Sequence, residues 1–446
     1  MDKDIELKSL ISKVSVGTFI GTAILALDSI VQAIYAGHIL GRDGLVSIGS
    51  GFCIMLLFVA LCEGAVAGTI GIVKEKYQAK DQDGFKEAVN VAWTVGIIVS
   101  LVLTVVGVLL SEVFLKALGT DESIMADALI YLRINLEFSG LVYFIFMCLE
   151  LLKNKQKRWL SFVYIVTTTV LNIILIPLFA SGVSFFPKCG IKAFAVIPLI
   201  TGTIGCILSI VVLAKEEKGL FQLPTKLSFQ FSFKEVVKRG TPALLPKVQA
   251  GISYLIILFF VNKYGAYATG AFYIVTRIDS LVTLPAIAVM TGIAVGTGQV
   301  MASKQIDRLK IVVKQGVKLM APTIVIIAFI SFFFSNGFMH VFTNESEIQR
   351  IGASYLKVAA FGYLFFIAMY VSNGILYGMQ KSVYTTYFSL IAIFIVRLPV
   401  IWICYAKGYG IDVVWKIIIA SYIISTLLSV VTNVNLQRKI RKFLKA

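Results

Sequence analysis

The sequence predicts an all-α polytopic membrane protein of twelve transmembrane helices, arranged as two parallel repeats of six. Three observations predict it. Hydrophobic residues make up 58% of the 446 positions and charged residues 15%, where a soluble domain carries nearer a quarter charged. Apolar stretches long enough for a bilayer core of about 30 Å, which takes roughly 20 helical residues to cross, recur along the whole chain. The chain also matches itself at one spacing: Tyr131-Leu132-Arg133 recurs as Tyr355-Leu356-Lys357, and Gln156-Lys157 as Gln380-Lys381, each 224 positions on. Gly41 has its counterpart in Gly265 at the same offset, and Ala79-Lys80 answers Ala302-Ser303-Lys304 within one residue of it. One offset held at four separated places marks a duplicated unit. Two hydrophobic copies with a path between them are a common construction of secondary transporters.

The first copy supplies spans near 14–36, 45–73, 88–115, 128–152, 159–181 and 190–214. The second supplies spans near 238–262, 266–300, 313–338, 351–378, 383–406 and 411–434. An even number per copy makes the copies parallel, related by an axis along the membrane normal. The polar, basic run from Lys215 to Lys234, with Pro224 inside it, reads as the cytoplasmic linker. The expected lobes are therefore 1–218 and 236–446, joined by 219–235. Gly182 to Gly190 and Gly408 to Gly410 close the matching last hairpins of the two copies. In span 8, Pro285 is followed by Gly292 and Gly296, which predicts a bendable inner half.

A net charge of +17 suggests nucleic acid until the charges are located. Counting helix ends with their adjoining loops, 27 of the 41 Lys and Arg lie in alternate loops and the two termini, eight lie in the opposite loops and six within spans. That is the positive-inside asymmetry, and it puts both termini in the cytoplasm of a cell inner membrane. The bilayer, not nucleic acid, is the expected partner, and the tail Arg438-Lys439-Ile440-Arg441-Lys442 is expected on anionic headgroups. The apolar run behind residues 1–13 is too long for a signal peptide, so the first span is expected to stay in the mature chain. Six scattered cysteines with no Cys-x-x-Cys, and only His38 and His340 as histidines, predict neither a metal site nor a disulfide framework. There is no Walker-type loop and no His-Glu-x-x-His. An enzyme with a bound cofactor is not expected.

What remains is the set of ionisable groups inside spans, each a functional candidate because burying it in hydrocarbon costs several kcal/mol. Asp28 in span 1 has Gln32 one turn later on the same face, and Asn172 lies deep in span 5. These three form the expected ion-coupling site, Asp28 holding a proton or ligating Na⁺. The structural alternative for Asp28 is an acid hydrogen-bonded for packing. Glu63 and Lys247 sit in opposite copies and, with Gln249, are cavity or gate candidates, although Lys247 also suits snorkelling to the interface. Arg277 and Asp279 cannot face each other at i,i+2, so Asp279 is expected to pair with Arg397 inside the second lobe.

The stretches Gly240-Thr-Pro-Ala-Leu-Leu, Tyr273-Ile-Val-Thr-Arg-Ile-Asp-Ser-Leu-Val-Thr-Leu-Pro285 and Val396-Arg-Leu-Pro399 resemble the multidrug and toxic compound extrusion (MATE) family. So do Tyr355-Leu-Lys through Gly378 and Leu171-Asn-Ile-Ile. The resemblance implies two six-helix bundles facing each other in a V, and export of organic, often cationic, compounds in exchange for Na⁺ or H⁺; the chain is expected to be a monomer. This chain departs from the family's pattern. Val31-Gln32 stands where the family usually has Val-Asp, leaving Asp28 one turn earlier, and Gly17 stands where a proline is common. The acids that bind the cation in the NorM-like branch fall near Ala250 and Phe366 here, which favours H⁺ over Na⁺ and Asp28 over the second lobe. Two alternatives stand beside cation-coupled export. A flippase for a lipid-linked oligosaccharide would take a basic central cavity for pyrophosphate. An intramembrane enzyme acting on lipid would need clustered acids, and the sequence has no such cluster.

Overall fold

The computed structural model describes residues 2–152, 158–183, 185–216, 222–229 and 233–445, and every regular element among them is helical. Twelve rods follow one another: α1 (Asp2–Tyr35), α2 (Gly41–Gln78), α3 (Gln82–Ala117), α4 (Met125–Glu137 with Ser139–Leu152), α5 (Arg158–Ser181) and α6 (Ile191–Glu216). Then come α7 (Phe233–Asn262), α8 (Ala266–Ala302), α9 (Leu309–Phe333), α10 (Ser346–Gly378), α11 (Val383–Leu390, Ile391–Arg397 and Leu398–Ala406) and α12 (Ile411–Lys445). By length and apolarity alone, nine helices among the described residues qualify as membrane spans, or ten if the bent α4 counts. The other two of the twelve are accounted for physically. α1 and α2 run on as one apolar stretch, Asp4–Gln78, through a π-helical turn at Ala36–Leu40. α7 contributes the shorter apolar segment Lys247–Asn262.

The duplication is written in the backbone. Lys80 and Lys304, 224 apart, both take a left-handed φ of 56° in the turn after the second helix of each copy. Gly41 and Gly265, the same distance apart, also have positive φ, at 68° and 96°. Left-handed backbone is costly for a residue with a Cβ, so its return at the repeat offset is structural evidence for two copies. Asp81 then caps α3 by accepting from Gly84 N at 2.9 Å. A hydrogen bond from Lys76 holds the Asp81 carboxyl below its ordinary range. The matching loop around Gln156 and Lys157, and linker residues 217–221 and 230–232, lie outside the described residues.

Two departures from regular helix were not expected. α4 bends by 55° at Phe138. α3 supports the bend: Thr104 Oγ1 donates to Leu136 O at 2.9 Å, and Ser139 Oγ ties the second half of α4 to Ser100 O of α3 at 3.0 Å. A break inside a membrane needs such partners, because no solvent can take the freed groups. α11 widens to a π-helix over Ile391–Arg397, just before Pro399 enters the next segment's first turn. Span 8, by contrast, is one continuous helix through Pro285.

Packing gathers the helices into two compact units, Tyr35–Ala266 and Met1–Ile34 with Tyr267–Ala446. This division does not follow chain order: α7 packs with the helices of the first copy, and α1 with those of the second. Glycines explain both placements. A Cβ on Gly240 of α7 would lie 2.4 Å from Gly64 O of α2, and one on Gly68 2.4 Å from Val236 O. In the other unit, a Cβ on Gly292 of α8 would lie 2.7 Å from Ile11 O of α1, and one on Gly296 2.6 Å from Ile11 Cγ1. Gly68 and Gly292 are themselves 224 apart. In each copy, then, a glycine on the second helix admits the backbone of the other copy's first helix, the close approach that small residues permit in membranes. Gly292 and Gly296 are thus points of helix contact.

The linker is docked as well. Thr225 N donates to Asn90 Oδ1 at 2.9 Å and Ser228 N to Thr94 Oγ1 at 2.9 Å, pinning residues 222–229 along α3.

Candidate functional site

Asp28 and Gln32 lie one turn apart on α1, and Gln32 Nε2 donates to Asp28 Oδ2 at 2.8 Å. Both side chains are half-buried. The i,i+4 spacing brings the amide onto the carboxylate without help from another helix. Asn172, the third member of the expected site, belongs to the other compact unit. There its Oδ1 accepts from Thr201 Oγ1 of α6 at 2.6 Å, and the side chain is buried. The three residues are therefore not assembled within one unit.

Glu63 and Lys247 do meet: Lys247 Nζ and Glu63 Oε2 form an ion pair between α2 and α7. Lys247 is 52% exposed and Glu63 21%, so the pair is of the screened kind worth at most about 1 kcal/mol. Two turns toward the α7 start, Arg239 bridges Glu75 of α2 at 2.7 Å and Glu235 at 2.9 Å. The glycine contact is thus flanked by ionic contacts between the same two helices. Gln249, two residues beyond Lys247, is half-buried.

The second-lobe cluster differs from its expected wiring. Asp279 is not paired with Arg397. Its two oxygens accept from tyrosines of α10, Tyr355 Oη to Oδ2 and Tyr363 Oη to Oδ1, both at 2.5 Å. Arg397, 2% exposed, donates through Nε to Ser421 Oγ at 2.7 Å and lies over the Tyr422 ring at 4.6 Å. Arg277 lies over the Tyr273 ring at 4.6 Å. The reason is angular: the π-turn aims Arg397 at α12, while α8 presents Asp279 to α10. Hydroxyls stabilise a half-buried carboxylate without neutralising it, and tyrosine faces do the same for guanidinium groups. Tyr355 also packs edge-on to Trp415, ring centroids 5.2 Å apart. Sequence reasoning missed Tyr355, Tyr363, Ser421 and Tyr422 as partners. Only Tyr355 carried a signal, as the tyrosine of the repeated Tyr-Leu-Arg/Lys motif. Among the described residues no three His, Cys, Asp or Glu side chains cluster as metal ligands.

A protein-family model described as MatE matches residues 18–178 and 242–403, two stretches that begin 224 positions apart. The chain is 24% identical over 380 residues to "Probable multidrug resistance protein YoeA" of Bacillus subtilis (strain 168), covering 84% of this chain and 82% of that protein. It is 21% identical over 413 residues to "Multidrug export protein MepA" of Staphylococcus aureus (strain MRSA252), covering 91% and 89%. Among solved structures, the inward-facing conformation of a multidrug resistance MATE family transporter of the MOP superfamily superposes with a TM-score of 0.82 at 15% identity, covering 98% of this chain and 99% of that one. The outward-facing conformation of such a transporter gives 0.74 at 16% identity, covering 97% and 96%.

Proposed function

The chain belongs to the MatE family, and on that premise we propose that it is a cation-coupled exporter of small organic molecules. It is an integral, multi-pass membrane protein, and the exported compounds are cationic or amphipathic. It works as a monomeric antiporter in the cytoplasmic membrane, with both termini inside and no cofactor beyond the coupling ion.

The observation that carries this reading is the position of Asp28. It is a half-buried carboxylate with an amide donor, on the helix whose cytoplasmic half packs backbone-close against Gly292 of α8. Protonating Asp28, or placing Na⁺ on it, changes the charge of a rod already engaged with the second copy. An ion drives a conformational change only through its different affinity for the two states, and a tenfold difference is worth about 1.4 kcal/mol. A group on a contact-forming helix is well placed to supply that difference. H⁺ is the preferred ion, since Ala250 and Phe366 stand near the positions of the NorM-like acids. A pyrophosphate flippase is less well supported, because the guanidinium groups of Arg277 and Arg397 already lie against tyrosine rings.

The test is uptake of a fluorescent organic cation into everted vesicles, with proton and sodium gradients imposed separately. Asp28→Asn should be made in normal amount and lose gradient-driven uptake. Normal uptake by that variant under both gradients would remove Asp28 from the mechanism. Uptake driven by Na⁺ alone and untouched by a protonophore would reverse the choice of ion.

A further inference from the structure

The C-terminal end of α12 carries a surface apart from the candidate sites described above. Leu427, Val431 and Val434 are 57%, 56% and 40% exposed and lie on one helical face, as a lipid-facing stripe does. α12 does not stop where that stripe ends; it runs on to Lys445. On the same face the next exposed positions are Asn435, Arg438, Lys439 and Lys442. Asn435, Arg438, Lys439, Arg441 and Lys442 together line a surface concavity. Among the described residues, Arg441 Nη2 lies 3.7 Å from Asp307 Oδ1 in the α8–α9 turn, a carboxylate that is itself 93% exposed. This segment also lies beyond the residues matched by the family model.

At 1.5 Å per residue, Arg438 stands about 6 Å and Lys442 about 12 Å past Val434 along the helix axis. The headgroup layer begins where the apolar stripe ends and is roughly 5–7 Å deep. Lys and Arg side chains are long enough to reach back into it. A face that turns from exposed aliphatic to exposed cationic within one helical turn matches a phospholipid from its tails to its headgroup. A soluble polyanion would have no use for the aliphatic half.

We propose that this end of α12 is a binding site for anionic phospholipid, with Arg438, Lys439 and Lys442 holding the headgroup phosphate and Leu427, Val431 and Val434 seating the chains. Each cation near a charged membrane surface strengthens association about fivefold, so the three together dominate the choice of lipid.

The test uses the purified full-length chain in neutral detergent micelles and tail-labelled phosphatidylglycerol or phosphatidylcholine. Phosphatidylglycerol should bind at least tenfold more tightly, with affinity falling as salt rises. The R438Q/K439Q/K442Q variant should lose that preference while binding phosphatidylcholine as before. The charge-preserving variant R438K/K439R/K442R should keep it within about twofold. The proposal is overturned if the neutralised variant retains the preference or the wild-type chain shows none. Displacement of the lipid by an equal concentration of glycerol 3-phosphate would mark a free-phosphate site and overturn it too. Tighter binding of a short RNA than of phosphatidylglycerol would do the same.

Discussion

Gly240→Ala tests whether the α2–α7 contact is set by backbone approach. The added methyl would lie 2.4 Å from Gly64 O, whereas carbon and carbonyl oxygen are comfortable at about 3.3 Å. The obstructing atom is backbone, so no side-chain rotation relieves the clash and the helices must part by about 1 Å. Overpacking of that kind costs about 1–3 kcal/mol. Replacing a mid-helix glycine by alanine returns up to about 1 kcal/mol, leaving a net loss of up to about 2 kcal/mol. Gly21→Ala is the control. Gly21 lies within α1 with no neighbouring atom inside 4 Å, so that variant should gain up to about 1 kcal/mol. Thermal unfolding of both proteins in the same detergent, followed by tryptophan fluorescence, should place Gly240→Ala below wild type and Gly21→Ala at or above it. The reasoning fails if Gly240→Ala melts at or above Gly21→Ala.

Tyr363→Phe removes one of the two hydroxyls on Asp279 and should cost about 1.5–3 kcal/mol in the same melt, much of it recovered on adding Asp279→Asn; additive losses would mean the two groups do not interact. Lys247→Met should change stability by less than about 1 kcal/mol, because the ion pair with Glu63 is half-exposed, and a larger loss would show the pair to be effectively dry. Asp121→Cys, in the turn before α4, should be labelled from outside intact cells by an impermeant thiol reagent, and labelling only after permeabilisation would invert the orientation.

Several features were legible without coordinates because they are sums over local sequence. Whether a stretch enters a bilayer depends on its transfer free energy residue by residue, and each of the twelve predicted spans has its rod. The duplication was equally plain, and it reached details of backbone: Lys80 and Lys304 were matched as residues and share a left-handed turn. The Asp28–Gln32 hydrogen bond followed from helical spacing alone.

The partners of the deep charges were not legible. Asp279 and Arg397 were assigned to each other by sign and depth, which the sequence shows. The tyrosines and the serine they actually meet depend on azimuth, and a one-residue widening of α11 resets that. The bend in α4 was hidden for a similar reason: the residues that make it tolerable, Ser100 and Thr104, belong to α3.

By itself the sequence determined the membrane class, the number of crossings, the repeat and the inventory of intramembrane polar groups, since each follows from composition and period along one chain. Tertiary structure alone decided that α1 packs with the second copy's helices and α7 with the first's, and which side chain answers each buried charge. Those outcomes rest on contacts between helices far apart in sequence, where a missing Cβ at Gly68, Gly240 or Gly292 lets two backbones meet and a Cβ would hold them apart.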